Sequence, residues 1–228
     1  MRQLLLEWDV AQPQTLDNFV VGRNQELTAL ITQISQRSAL TLDKRFVMMW
    51  GESGSGKSHL LHALQALPDT LYLSASSAAS DILFSDQYHL YLIDDCDVLS
   101  PEAQIAAFGL FNQIREAGGV LITTAKHPPG QLLLREDLRT RLGWGLIYQL
   151  HGLSDEEKIA ALSLSAETRG LQLSTGVIPY LLTHFRRDMQ SLSAMLNALD
   201  RYSLETKRAI TVPLLRELLE LDDTNSSL

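Results

Sequence analysis

The sequence predicts an α/β domain, a parallel sheet flanked by helices that carries a phosphate-binding loop (P-loop), followed by a small all-α domain. Three observations carry this. Short apolar runs alternate with helix-length segments through the first two thirds of the chain, the pattern of a parallel sheet covered on both faces. A glycine-rich loop ending in a lysine joins one such run to one such helix. After His151-Gly152 only helical patterns remain.

The elements follow in order. Asn24 to Arg37 places Leu27, Leu30, Ile31 and Ile34 at helical spacing. Arg45 to Trp50 is a short apolar run, a buried strand. A helix opens near Lys57 and stops before Pro68. Leu71–Leu73 is a short strand, and His89–Ile93 is a second, ended by Asp94-Asp95. Pro101 to Glu116 is helical, with the proline early, where its missing N–H costs nothing. Val120–Thr123 is a strand, Pro128-Pro129 breaks the chain, and Leu146–Leu150 is the last strand. The first helix of the second domain opens at Ser154-Asp155-Glu156-Glu157, a capping box, and ends near Gly170. Three more start near Ser174, Asp188 and Thr211. The predicted division is a flexible tail (1–14), an α/β domain (15–152), a helical lid (153–221) and a frayed end (222–228).

Bulk properties narrow the function. Of 228 residues, 45% are hydrophobic and 20% charged, ordinary for a chain with a real core. The net charge of −8 disfavours binding along a phosphate backbone, so no direct sequence-specific DNA binding is expected. The single cysteine, Cys96, forbids an internal disulfide framework and fits a small buried apolar residue. No apolar run of about 18 residues and no basic-then-apolar N-terminus appears, which predicts a cytoplasmic protein with no membrane partner.

Gly51-Glu52-Ser53-Gly54-Ser55-Gly56-Lys57-Ser58 has the form G-x-x-x-x-G-K-S, after a strand and opening a helix. Glycines let backbone N–H groups turn towards phosphates, and the helix N-terminus adds partial positive charge. Lys57 is placed to reach the β- and γ-phosphates of ADP or ATP, and Ser58 to ligate Mg²⁺. His89 to Asp95 is an apolar strand ending in carboxylates, which at the C-terminal end of a parallel strand puts Asp94 on the metal side. The bland readings are a glycine-rich turn and two solvated aspartates. Elsewhere bland readings prevail: His59 and His62 lack a third zinc ligand, Arg186-Arg187 is a solvated pair, and Trp50 and Trp144 are packing residues.

Several stretches resemble the DnaA-like AAA+ family, over residues 15 to about 220. Thr15-Leu16-Asp17-Asn18-Phe19-Val20-Val21-Gly22-Arg23-Asn24 is similar to its adenine-contacting segment. Gly51 to Leu60 is similar to its phosphate loop, and Ile93-Asp94-Asp95 to its double aspartate. Asp137-Leu138-Arg139-Thr140-Arg141-Leu142-Gly143-Trp144-Gly145-Leu146 is similar to the segment carrying its arginine finger. The resemblance implies nucleotide contacts from Phe19, Val20, the loop and His59, and a trans-acting finger at Arg141. The sensor-1 position falls on Thr123 or Thr124, or alternatively on Lys126. Sensor 2 falls on Gln190, where an arginine is usual, with Arg186 and Arg187 nearby. Asp95 stands where most AAA+ ATPases have the water-orienting glutamate, so weak or no intrinsic ATPase activity is expected.

Two departures refine the resemblance. No basic helix-turn-helix follows the lid in this sequence, and the chain begins Gln3-Leu4-Leu5-Leu6-Glu7-Trp8. The latter, through Gln3, Leu4, Leu6 and Trp8, resembles the peptide that docks on the bacterial sliding clamp; an N-terminal edge strand is the alternative. Together with Pro128 to Leu132 and Leu153 to Lys158, this layout resembles the Hda family, the regulatory inactivators of DnaA. It implies the DnaA initiator and the clamp as partners, with a second copy of the chain as a further one. A helicase loader of the DnaC type, also built on a DnaA-like core, is the competing expectation.

Overall fold

The computed structural model describes residues 13–225, with side chains through residue 219. The chain forms two compact units, one from Pro13 to Gly152 and the other from Leu153 onward. Pro13 and Gln14, read from the sequence as tail, belong to the first unit.

The first unit contains β1 (Phe46–Trp50), β2 (Thr70–Leu73), β3 (Leu90–Ile93), β4 (Val120–Ala125) and β5 (Leu146–Gln149), with α1 (Gln25–Ser35), α2 (Lys57–Gln65), α3 (Pro101–Ala117) and α4 (Glu136–Leu142). The five strands form one parallel sheet in the order β2-β3-β4-β1-β5. Its two faces carry separate cores. Phe46, Met48, Tyr91, Ile93 and Leu121 pack under α3 and α4, while Val47, Met49, Leu90, Leu92 and Ile122 pack under α1 and α2. Alternation along each strand divides the residues between faces, and burial on both sides explains why β1, β3 and β4 are nearly all apolar.

Every strand differs from the sequence reading at one end by a residue or two, and two of these shifts have a plain local reason. β1 starts at Phe46 because Asp43–Arg45 form a 3₁₀ turn. β4 continues to Ala125 because its ladder with β1 pairs Met49 with Thr124 and Trp50 with Ala125. That extension keeps Thr124 inside the sheet, fully buried.

The second unit holds α5 (Asp155–Thr168), α6 (Val177–His184), α7 (Met189–Thr206) and α8 (Val212–Asn225) around Leu162, Leu181, Leu192, Met195, Leu199 and Leu215. The Ser154 hydroxyl accepts from Glu157 N (3.2 Å) while the Glu157 carboxylate accepts from Ser154 N (2.7 Å), closing the capping box that opens α5. Asp188 caps α7 by accepting from Ser191 N at 2.8 Å. One feature is absent from the sequence reading: a parallel bridge pairs Leu173 with Ile210 and ties two connections together. α8 also runs four residues into the segment read as a frayed end, because a helix nucleated by packed turns propagates at little cost.

Candidate nucleotide site

The phosphate loop spans the C-terminal end of β1 and the start of α2. Gly56 has φ +104° and Gly54 φ +77°, conformations that L side chains rarely adopt. Gly56 has a second constraint: a Cβ there would lie 2.8 Å from Phe19 Cε2. Phe19 therefore closes over the loop, and it meets His59 edge-on with ring centroids 5.4 Å apart. The segment bearing Phe19 and Val20 is shaped by a reciprocal turn, in which Thr15 N donates to Asn18 Oδ1 (3.0 Å) and Asn18 N to Thr15 Oγ1 (3.3 Å).

Lys57 is 8% exposed. Its Nζ donates to the carbonyls of Gly51 (2.7 Å) and Glu52 (3.0 Å), so the ammonium sits inside its own loop. Burial pushes its pKa down, and Asp95, Asp94 and Asp97 oppose that shift. The Ser55 hydroxyl oxygen, also buried, has no partner among the described residues. A loop that leaves a buried hydroxyl unpaired at the N-terminal end of a helix has donor chemistry suited to a nucleotide phosphate.

Asp94 is 5% exposed at the end of β3. The Thr124 hydroxyl donates to its Oδ1, and the Tyr72 hydroxyl donates to its Oδ2 at 3.0 Å. Thr124 Oγ1 also accepts from Asp95 N at 2.8 Å, so one threonine on β4 fixes the carboxylate and the turn behind it. Of the three sensor-1 readings, Thr124 is the residue brought against Asp94. Lys126 is exposed and touches the cluster through its backbone N–H, which donates to Asp97 Oδ2 (3.3 Å). Asp95 is left-handed (φ +49°, ψ +51°) and exposed. Partial burial, then the Asp94 charge beside it, raises its carboxyl pKa.

Among the described residues no group of three or more His, Cys, Asp or Glu side chains is arranged to hold a metal. His59 and His62 take part in no such group. A Mg²⁺ ion in a phosphate loop needs fewer protein ligands than such a group, since phosphate and water oxygens complete its shell; Asp94 and Ser58 remain the residues that the sequence reading offers for it. Cys96 is buried, as expected.

Sequence reasoning missed three residues here. Tyr72 reaches Asp94 only because β2 pairs with β3. His62 reaches Tyr72 only because α2 packs over β2, with ring centroids 5.0 Å apart. Asn24 staples the two ends of the unit: its Nδ2 donates to His151 O and its Oδ1 accepts from His151 N, both at 2.9 Å. Asn24 stood in a quoted motif, but the motif does not reveal its distant partner.

Arg141 lies near the end of α4, away from this pocket's hydrogen bonds. Its guanidinium sits over the rings of Phe108 (5.7 Å) and Phe111 (5.8 Å). An open hollow of about 720 Å³ lies beside it, lined by Phe108, Arg135, Glu136, Asp137, Thr140 and Arg141. Asp137, one acid available to Arg141 in sequence, pairs instead with Arg135 at 2.8 Å. Among the described residues Arg141 forms no ion pair. Trp144, read as packing, is 41% exposed yet meets Phe46 and Phe111 edge-on.

In the lid, Gln190 is exposed in the first turn of α7. Arg187 is held within its own unit, donating to Leu182 O (3.3 Å) and lying 3.9 Å from Asp155. Gln3, Leu4, Leu6 and Trp8 fall outside the described residues.

The sheet order, the loop between β1 and α2 and the acid closing β3 define an AAA+ nucleotide-binding fold with a helical lid. Comparison with known proteins agrees. The family described as "Hda, lid domain" matches residues 155–219, and "Bacterial DnaA ATPAse domain" matches residues 10–82. A Haemophilus influenzae protein described as uncharacterized is 35% identical over 233 residues, covering 96% of this chain and 99% of its own. Domain III of the Thermotoga maritima replication initiation protein DnaA superposes with a TM-score of 0.71 at 18% identity, covering 91% of this chain and 95% of that one. The replication initiator DnaA bound to AMPPCP and single-stranded DNA gives a TM-score of 0.68 at 21% identity, covering 84% of this chain and 66% of that one. The chain belongs to the Hda-like branch of the DnaA-family AAA+ proteins.

Proposed function

We propose that the protein is a nucleotide-bound regulator of replication initiation that binds the sliding clamp and promotes hydrolysis of ATP held by DnaA. The match of the lid to the Hda family, over residues 155–219, carries this reading. Two features of the first unit support it. Asp95 is one methylene shorter than the usual water-orienting glutamate, which suits a protein that holds ADP or ATP without turning it over rapidly. Arg141 presents a guanidinium on an aromatic platform with no acid bound to it among the described residues, which suits action on a nucleotide held by another subunit. Such fingers stabilise charge that develops during phosphoryl transfer.

In this reading Lys57 and the loop N–H groups hold the phosphates, Phe19, Val20 and His59 border the base, and Ser58 and Asp94 hold Mg²⁺. When bound, the ion would neutralise phosphate charge. Thr124 keeps Asp94 turned towards it. Gln190 contributes the lid's nucleotide contact, and Gln3, Leu4, Leu6 and Trp8 engage the clamp. The cytoplasm is the compartment where these partners meet.

The test is hydrolysis of DnaA-bound ATP in the presence of clamp-loaded DNA. Stimulation by the wild-type chain is expected, lost when Gln3, Leu4 and Leu6 are all changed to alanine while ADP binding persists. A chain that ignores the clamp and instead binds replicative helicase would replace this reading with that of a loader.

A further inference from the structure

One run of hydrogen bonds in the first unit is not used by the nucleotide site as described above. Asp94 Oδ2 accepts from the Tyr72 hydroxyl at 3.0 Å. Because Tyr72 gives its proton to the carboxylate, its oxygen is free to accept, and His62 Nε2 lies 3.1 Å from it. The other nitrogen of that ring, Nδ1, faces the side-chain amide of Gln14 through Oε1; because Nε2–H donates to the tyrosine, Nδ1 accepts, and the run closes with the amide turned end for end so that its N–H donates there. Two side chains, Tyr72 and His62, thus connect the carboxylate at the end of β3 to Gln14, 80 positions earlier and at the start of the described chain. One turn earlier on α2, His59 Nε2 lies 2.9 Å from Thr15 O, so this helix grips consecutive residues of the N-terminal segment.

The elements explain why the run exists. His59 and His62 are three apart on α2 and share one helix face. Tyr72 is near the end of β2, in register with Leu92 on β3, so its ring spans the gap between α2 and the turn that carries Asp94. An ordinary phenol keeps its proton at neutral pH, so the Tyr72 hydroxyl is the donor and the Asp94 carboxylate the acceptor. A carboxylate held by hydroxyls on both oxygens has its plane fixed. Outer hydrogen bonds of this kind orient ligands, and losing one typically costs about 10- to 100-fold in metal affinity.

We propose that Tyr72 and His62 are positioning residues that set Asp94 for Mg²⁺ and couple metal-dependent nucleotide binding to the placement of the N-terminal segment through Gln14. The inference rests on the reading of Asp94 as the metal-side residue. Coupling of this kind is reciprocal: whatever displaces Gln14 from His62 weakens the metal's contribution to nucleotide binding, and metal-nucleotide binding favours the seated segment. The segment that leads into Gln14 carries the clamp-binding residues of the proposed function, so a partner engaging it acts on the same link.

The experiment is calorimetric titration of ADP into the full chain, with Mg²⁺ and with EDTA. The variants are Tyr72→Phe, His62→Gln, Gln14→Ala and the Tyr72→Phe/Gln14→Ala pair. Tyr72→Phe keeps the ring and its packing and removes only the hydroxyl. The expected result is an approximately tenfold smaller gain in ADP affinity from Mg²⁺ in Tyr72→Phe, with unchanged affinity in EDTA. His62→Gln and Gln14→Ala should shift the gain the same way by a smaller factor, and Gln14→Ala should add nothing once Tyr72 is phenylalanine. A wild-type gain in Tyr72→Phe overturns the positioning role. Equal loss of affinity with and without metal, in Tyr72→Phe and His62→Gln alike, overturns it in favour of a packing role. A full Gln14→Ala effect in the Tyr72→Phe background overturns the link. A wild-type chain that binds ADP with no gain from Mg²⁺ overturns the metal-side reading of Asp94 itself, a failure distinct from the other three.

Discussion

The nucleotide pocket and the face around Arg141 belong to the same unit yet treat charge in opposite ways. In the pocket almost every polar group is closed by a neighbour. Lys57 bonds to two loop carbonyls, and Asp94 accepts from Tyr72 and Thr124. The Arg141 guanidinium has aromatic rings beneath it and no acid pairing with it among the described residues, although Asp137 lies one turn away. The lesson is one of incompleteness. The pocket is assembled from within, from three strand ends and a helix start, whereas the arginine is presented. A cation over rings gains about 0.5–2 kcal/mol from the ring quadrupole and keeps its hydrogen-bond donors available.

The contrast is broken most strongly at Arg141. Arg141→Ala should reduce stimulated hydrolysis of DnaA-bound ATP by about 10³-fold or more, the lower end of the range for arginine fingers. Its own ADP affinity should stay at the wild-type value, and its melting temperature should fall by no more than a few degrees, the loss of the contact with the rings. Single-turnover hydrolysis with clamp-loaded DNA reads the first, calorimetry and thermal melting the others. Normal stimulation by the variant would place the trans-acting group elsewhere.

Next is the backbone that holds the arginine's helix. Gly145 packs so closely on β1 that a Cβ would lie 2.0 Å from Phe46 O and 2.7 Å from Phe46 Cβ. Backbone cannot move aside as a side chain can, so Gly145→Ala should destabilise the chain by about 3 kcal/mol. Urea unfolding measures this. A loss under about 0.5 kcal/mol would mean that β5 shifts without cost.

Lys57→Ala tests the closed side of the comparison. Charge-assisted hydrogen bonds are worth about 1.5–3 kcal/mol, so ADP and ATP affinity should fall roughly 10- to 100-fold. The fold should persist, because the Gly51 and Glu52 carbonyls can bind water at the open end of the loop. Calorimetry showing wild-type affinity for both nucleotides would remove the loop from the reading.

The smallest effect concerns Asp95. Its folded-state pKa is raised by burial and by Asp94, so between the unfolded and folded pKa values the native state binds more protons than the unfolded state. Stability therefore falls as pH rises through the carboxylate range and stays lower above it. Asp95→Asn removes that cost while tolerating the left-handed φ at least as well. The variant without nucleotide should melt slightly higher than wild type at pH 7, and the difference should vanish below the ordinary aspartate pKa. Melting curves at pH 7 and pH 3.5 check it; a difference that grows on acidification would contradict the assigned cause.

The parts of the site that were legible in the sequence are those made by consecutive residues. Gly51 to Ser58 reads as a phosphate loop because its chemistry is backbone chemistry, written by glycines at fixed spacing and a lysine at the helix start. Asp94 reads as a strand-end acid because an apolar run stops there. The lid was legible through Ser154 and Asp188, since caps act within three residues. Thr124 was only one of three readings, because the end of β4 depends on how far β1 pairs with it. The contacts of Tyr72, His62 and Asn24 gave no signal, although His62 and Asn24 were themselves noticed, because each acts on a partner at least ten residues away through sheet pairing or helix packing.

The sequence alone determined the class of this protein: local periodicity, capping and loop chemistry are short-range, and they suffice to specify a phosphate-loop α/β unit and a helical domain, which the resemblance to DnaA-like proteins narrows to the AAA+ kind. Only the tertiary structure decided what surrounds each charge. Strand register set Tyr72 and Thr124 on the two oxygens of Asp94, and helix packing set Gln14 against His62. The packing of α4 against α3 put Arg141 over Phe108 and Phe111. Such contacts join residues far apart in the chain, and their energies depend on distance and burial, which exist only once the sheet has formed and its two faces are covered.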